Sequence, residues 1–368
     1  MRFIVLFLFS FTWYSQAGAA EKMGSSQGAL VVTEMASGLE QPWGLGFLPG
    51  GGFLVTLRDG ELRHYQPDGS FNVVTGLPQV VASGQGGLLD VVVAQDFETT
   101  RTLFLSYTKR LNGGNGTVLA SARLSADFTG LEHLRVLFEM KSPSRGSKHF
   151  GGRIVEARDG SLFLTLGERG DRVEAQSLLN HNGAIVRVHR DGSVPASNPF
   201  AARAGALPEI WSYGHRNPQG AALDARGQLW VVEHGAKGGD EVNRVEAGLN
   251  YGWPVIGYGR HYTGFRIGEG THKPGMAQPE FYWDPSIAPS GLMIYSGKLW
   301  PAWRGDFFVG SLKFDMISRL EVQAGMMREV ERLNSAQTGR VRDVREAPDG
   351  SIWFLSVDKG AVFRLAPK

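Results

Sequence analysis

The chain has 368 residues, 42% of them hydrophobic, with 50 glycines and no cysteine, which is enough apolar material for a large core and excludes a disulfide framework. Its formal charge of +2 is spread over 38 basic and 36 acidic residues, so nothing in the balance marks nucleic acid as a partner. Stability must come from apolar packing or from bound ions.

The chain opens with Met1-Arg2, an apolar run from Phe3 to Phe11, and the small residues Ala17-Gly18-Ala19 before Ala20. A charged start, a short apolar stretch and a small-residue cleavage site predict a secretory signal peptide over residues 1–19, not a membrane span. The expected mature chain, residues 20–368, loses Arg2, so its formal charge falls from +2 to +1. Its expected location is the periplasm of a Gram-negative bacterium.

A unit then recurs six times: a turn, an apolar run, a polar excursion, and a closing strand with arginine at its centre. The apolar runs begin at Phe53, Leu103, Leu162, Leu229, Phe307 and Ile352, and the arginines are Arg63, Arg123, Arg187, Arg244, Arg319 and Arg364. Several copies also share a phrase in the strand before, as in Trp43-Gly-Leu-Gly-Phe47, Gly87-Leu-Leu-Asp-Val91 and Gly220-Ala-Ala-Leu223. Repeats of short strands and glycine turns predict an all-β fold, a six-bladed β-propeller of four-stranded antiparallel sheets forming one domain over 20–368. Leu30 to Met35, ahead of the first copy, should complete the last sheet and close the ring. The alternative is a β-sandwich followed by a second domain, against which stands the lack of a Pro- or Ser-rich linker. Gly113 to Gly116, Asp171 to Asn182, Pro195 to Pro208 and Tyr258 to Trp283 read as loops on the propeller faces.

Polar chemistry concentrates between Trp211 and Pro254, where acids, bases and amides stand among glycines. His149 precedes a first strand, Gln85 precedes the equivalent strand one blade earlier, and Arg216-Asn217 precede it one blade later. The three should share a rim, where His149 can serve as a general base or simply cap a turn. Arg340 and Arg342 occupy that rim in the last blade, and Lys313 follows an apolar run in the fifth. With Arg216 they make a ring of four cations, which suits an anionic ligand with several carboxylates or phosphates. Gly235-Ala236 followed by Gly238-Gly-Asp-Glu241 offers carbonyls beside carboxylates, hard-oxygen chemistry suited to calcium; zinc is not indicated. Gly24-Ser-Ser-Gln-Gly28 imitates a hydrolase elbow without its strand-to-helix context, and Asn115-Gly-Thr117 is a sequon that bacteria rarely use.

Gln85-Gly-Gly-Leu-Leu-Asp90, His149-Phe-Gly-Gly-Arg153, Tyr213-Gly-His-Arg-Asn-Pro-Gln-Gly220, Glu233-His-Gly235, Gly238-Gly-Asp-Glu241, Asn250-Tyr-Gly-Trp-Pro254 and Arg340-Val-Arg-Asp343 resemble the soluble aldose sugar dehydrogenases that use pyrroloquinoline quinone (PQQ). The likeness runs from Pro42 to Leu365 and implies a six-bladed propeller. By position it implies that Gln85, Arg216, Asn217, Tyr262, Lys313, Arg340 and Arg342 hold the planar tricarboxylate. It also implies one calcium ion on the carbonyls of Gly235 and Ala236, and a further calcium site at Glu241 and Tyr251. Ala236 stands where the family usually has proline. His149 would then take the C1 hydroxyl proton of a cyclic aldose as hydride passes to the quinone, with Arg216 polarising the quinone oxygen. Glu168 would orient the histidine, where some members carry aspartate.

The implied product is a lactone, with electrons passed to an external acceptor, a cytochrome or a quinone. Two other classes compete: a non-catalytic propeller that binds a glycan or protein, and a calcium-dependent lactonase. A binding module has no need of His149, and a lactonase has no use for Lys313, Arg340 and Arg342 as a ring.

Overall fold

The computed structural model describes residues 21–142 and 144–368, so the expected signal peptide lies outside the described residues. The six sheets are the predicted six blades. Blade one comprises Pro42–Phe47, Phe53–Leu57, Glu61–Tyr65 and Phe71–Val73; blade two Leu88–Val93, Thr102–Leu111, Gly114–Leu124 and Leu131–Glu139. Blade three comprises Ile154–Glu156, Leu162–Thr165, Ile185–Val188 and Ile210–Ser212; blade four Pro218–Leu223, Leu229–Glu233, Asp240–Val245 and Phe281–Trp283. Blade five comprises Pro289–Ile294, Phe307–Ser311, Ile317–Gln323 and Met326–Leu333. Blade six takes Val341–Glu346, Ile352–Ser356 and Ala361–Pro367 from the end of the chain and Leu30–Ala36 from its beginning, with Glu21–Met23 outside them. The expected ring closure is present, Leu30 pairing with Pro367 and Val32 with Leu365.

Two readings need correction. The arginine-bearing strand is the third of each blade and not the closing one, because a further strand pairs outside it, as Phe71–Val73 does on Glu61–Tyr65. Gly113 to Gly116 is no face loop: Leu111 pairs with Gly114 and Lys109 with Gly116, so the segment is the tip of a long hairpin. The arginines of blades three and six instead lock turns, with Arg364 donating from Nε to Ser351 Oγ (3.1 Å) and from Nη2 to Asp349 (2.8 Å). Arg187 binds Ser161 and Asp159 in the same way.

The second strands are buried along nearly their whole length, and so are mostly apolar, because each sheet is covered on both faces by its neighbours. Phe53–Leu57 is buried at all five positions. Leu54 and Leu62 of blade one pack against Leu105 and Val118 of blade two, and the wrap ends where Phe53 and Val55 meet Trp353 and Leu355 of blade six. At the axis the first strands come so close that a Cβ on Gly291 would lie 2.3 Å from Asp343 Oδ1. Only glycine fits there.

That crowding encloses a charge network at the axis. Arg153 Nη1 donates to Asp90 Oδ1 at 2.9 Å and to Asp343 Oδ2 at 3.1 Å. Arg345 binds the same two carboxylates at 3.1 and 3.0 Å, and the Leu45 and Ile154 amides donate to them as well. Blades one, two, three and six are thereby tied at one point, and Arg153 reaches blade four through the Gln219 carbonyl.

Candidate active site

In each blade the entrance to the first strand and the exit from the second lie at the same end of the axis, because the two strands are antiparallel. The register makes this explicit, Pro42 facing Leu57, Pro218 facing Glu233 and Val341 facing Ser356. Residues at these entrances and exits line two adjoining cavities. One, of about 470 Å³, is walled by Gln85, Asn217, Gln219, Lys313, Arg340 and Arg342. The other, of about 540 Å³, meets it at Gln85, His234 and Lys313, and is walled further by His149, Arg216, Gly235, Ala236 and Tyr262.

The first strand of blade three is entered through a strained corner. His149 has φ +57°, and its amide donates to Gln85 Oε1 at 2.7 Å. Its carbonyl passes so near Gly167 that a Cβ there would lie 2.2 Å away. Such backbone strain at a residue facing a cavity requires the surroundings to hold it. Arg169 does so, its guanidinium stacking on Phe150 and donating to the carbonyls of Lys148 and Gly146, the latter at 2.6 Å.

His149 Nδ1 lies 2.6 Å from Glu168 Oε2. A carboxylate on that side fixes Nδ1 as the proton-bearing nitrogen and leaves Nε2 with its lone pair, unpartnered among the described residues. Burial, seconded by the Arg216 charge, holds the imidazole below its ordinary pKa against the pull of Glu168. Burial opposes ionisation of Glu168, yet the His149 hydrogen bond and the Gly170 amide more than offset it and hold the carboxyl below its usual range. A neutral imidazole backed by an ionised carboxylate is an arrangement that can serve as a general base.

The remaining walls are cationic. Arg216 is anchored by its amide on Glu233 Oε2 (2.7 Å) and lies 5.2 Å over the Trp253 ring, while its Nε is buried without a partner. Arg342 donates to Gln219 Oε1 at 3.0 Å; burial and then Arg153, Arg340 and Arg58 push its guanidinium down to about 9. Asn217 Oδ1 accepts from the Gly151 amide (3.1 Å), so it buttresses the loop that carries His149. Lys313 and Arg340 are exposed at the mouth, and Tyr262 is 76% exposed on the rim. Among the residues lining both cavities the one carboxylate is Asp284.

Glu241 and Tyr251 meet Gly235 and Ala236 around a cavity of about 20 Å³ beside Arg216. Burial, then the neighbouring Glu233, pushes the Glu241 carboxyl up to about 8. The two acids share Asn243 Nδ2, at 3.0 Å from Glu233 and 3.1 Å from Glu241. Asp240, by contrast, is spent on the amides of Gly235 and Ala288, both at 2.8 Å. The Tyr251 hydroxyl donates to the Arg244 carbonyl (2.6 Å) and accepts from the Glu246 amide (2.9 Å), so an ion could use only its backbone carbonyl.

The Glucose / Sorbosone dehydrogenase family matches residues 39–364. The chain belongs to that family. It is 41% identical over 337 residues to aldose sugar dehydrogenase YliI of Escherichia coli, covering 90% of this chain and 91% of that one. The crystal structure of the apo soluble aldose sugar dehydrogenase from E. coli superposes with a TM-score of 0.88 at 40% identity, over 92% of this chain and 100% of that chain. A PQQ-bound aldose sugar dehydrogenase from Streptomyces coelicolor follows at 0.76 and 26%, over 91% and 97%. Membership makes the chain an oxidoreductase, a sugar dehydrogenase in the family's sense.

Three residues of this member's site carry no role in the sequence reading. His234 lines both large cavities and the small one; its Nε2 lies 2.7 Å from the Pro289 carbonyl, and burial pushes its pKa down to about 4. Its place directly after a buried apolar strand, like that of Lys313, was the available signal. Gln219 joins Arg342 to Asn217 and to the Gly151 carbonyl. His215, central to the most specific motif, faces away from the large cavities: it bridges Ser212 (2.9 Å) and Glu233 (2.8 Å) and stacks on Tyr251 at 4.5 Å.

Proposed function

We propose that this sugar dehydrogenase oxidises aldoses at C1 to the lactone, dependent on PQQ and calcium, and passes the electrons to an external acceptor. The observation that carries the reading is the His149–Glu168 pair opening into a cavity walled by arginine and lysine with a single facing carboxylate. An excess of cations over lining carboxylates around a space of this size fits a tricarboxylate better than a neutral sugar alone. The buried Nε of Arg216 and the paired Glu233 and Glu241 likewise fit an anion and a hard cation.

Gln85, Arg216, Asn217, Tyr262, Lys313, Arg340 and Arg342 would hold PQQ. The carbonyls of Gly235 and Ala236 would carry one calcium ion, and Glu241 with the Tyr251 carbonyl a second. PQQ, when bound, supplies the two-electron acceptor that no side chain can provide.

The chain's own part is proton transfer and orientation. His149 Nε2 accepts the hydroxyl proton of the sugar, and Glu168 stabilises the resulting imidazolium and fixes the ring. Arg216 presents positive charge where negative charge develops, at no reorganisation cost because Glu233 and Trp253 already position it. Export through a signal peptide to the periplasm is proposed from the N-terminal sequence.

The test is reconstitution of apoprotein with PQQ and calcium, followed by dye reduction on adding glucose and other aldoses. His149→Ala should bind PQQ as tightly as wild type and lose roughly 10²- to 10⁴-fold in turnover. No reduction with any aldose, despite bound PQQ, would sink the proposal.

A further inference from the structure

Four of the six blades repeat one small device at the site. The residue just past the second strand donates its amide to the carbonyl of the residue just before the first. Arg58 does this to Gln41 (3.1 Å), His234 to Asn217 (3.3 Å), Leu312 to Ala288 (3.0 Å) and Val357 to Arg340 (3.1 Å). All four donors line the 470 Å³ cavity. The position is therefore a wall position by construction, and in blade one it holds an arginine.

The Arg58 side chain is placed but not satisfied. Its Nε is buried without a hydrogen-bond partner, and among the described residues its guanidinium makes no ion pair or hydrogen bond. Its stem runs against Gly87, where a Cβ would fall 2.5 Å from Arg58 Cγ and 2.1 Å from its carbonyl oxygen, and that carbonyl is held by the Leu88 amide at 2.9 Å. Gly87 has φ +152°, so both its conformation and its bareness serve this approach. Arg58 also stands near enough to Arg342 to help depress it. An arginine held among like charges, without an anion, lacks a partner that the fold does not supply.

We infer that Arg58 is an anion-binding residue of the cavity, contributed by blade one, and that its partner is a carboxylate of the bound cofactor. This rests on the PQQ reading above, and it adds to the cation wall a blade that otherwise contributes no cofactor contact. The bidentate reach of a guanidinium suits a carboxylate held at a fixed angle.

The experiment is equilibrium titration of wild type, Arg58→Gln and Arg58→Lys with PQQ at fixed calcium, followed by tryptophan fluorescence at several salt concentrations, with thermal unfolding of each apoprotein. Arg58→Gln should weaken binding roughly 10- to 100-fold and flatten its salt dependence, and Arg58→Lys should fall between the two. The Arg58→Gln apoprotein should melt at the wild-type temperature or slightly above it, since a repulsion has been removed. Equal affinity and equal salt dependence in wild type and Arg58→Gln overturn the inference. So does a melting temperature lowered by more than about 5 °C, which would make Arg58 a structural residue. If wild type itself fails to bind PQQ, the cofactor reading falls and takes this one with it.

Discussion

Arg342 and Arg345 lie three residues apart on one strand and meet opposite fates. Arg345 sits in the axial network, where the carboxylates of Asp343 and Asp90 outweigh burial and push its guanidinium up. Arg342 faces the cavity, where burial and three arginines push it down to about 9. The axis matches two arginines with two aspartates, whereas the mouth gathers arginines and lysine around cavities whose one lining carboxylate is Asp284, with Asp358 reaching Arg340 from outside at 3.8 Å. One region spends its charges on holding blades together. The other leaves part of its charge unspent, as at the buried, unpartnered Nε of Arg58 and of Arg216, and such a group marks the place of a ligand.

The difference can be broken first at the axis. Asp343→Ala should cost about 3–5 kcal/mol of unfolding free energy, because it leaves Arg153 and Arg345 buried with one carboxylate between them. Urea unfolding checks this, and a loss below about 1 kcal/mol would mean the network is ornamental. At the mouth the sign should reverse: Arg340→Gln with Arg342→Gln should weaken PQQ binding about 100-fold while leaving apoprotein stability unchanged or raised. A clear drop in melting temperature would contradict the division.

Glu168→Gln should lower turnover about tenfold with little change in cofactor affinity, since the amide can still accept from His149 Nδ1 but cannot stabilise an imidazolium. Rates matching wild type would remove Glu168 from the chemistry. The smallest effect concerns pH. His149 must be neutral to accept a proton, and its pKa is already below the ordinary value of 6.5, so activity should hold through mild acidity and fall only on further acidification. Glu168 pulls that pKa up, so Glu168→Gln should move the acid limb to lower pH. Movement in the other direction would show that Glu168 acts otherwise.

The blade count was legible because each buried second strand carries an apolar run and because arginine recurs in each third strand. Outer strands such as Phe71–Val73 and Phe281–Trp283 are three residues long and half exposed, too short to leave a period. Gln85, His149 and Arg216 were legible as rim residues since each stands within a few residues of the start of a first strand, at Leu88, Ile154 and Pro218. Arg58 was not, because Arg58-Asp-Gly60 reads as an ordinary hairpin turn. The axial network was hidden for another reason: its partners are separated by 63 and 190 residues, and only ring closure brings them together.

That closure also determines how the ring would yield to force. Leu30 faces Pro367 and Val32 faces Leu365, so the two ends of the seam emerge side by side at the same edge. Tension applied through the two ends of the chain would load those pairs one after another, like a zip, rather than shearing all of them at once. Every passage from one blade to the next is a continuous covalent chain, and the seam lies inside blade six, between Leu30–Ala36 and Ala361–Pro367. Among the described residues the ring is thus closed by backbone pairing rather than by a covalent link at this one seam, whose Leu30–Pro367 end is also covered by Glu21–Met23.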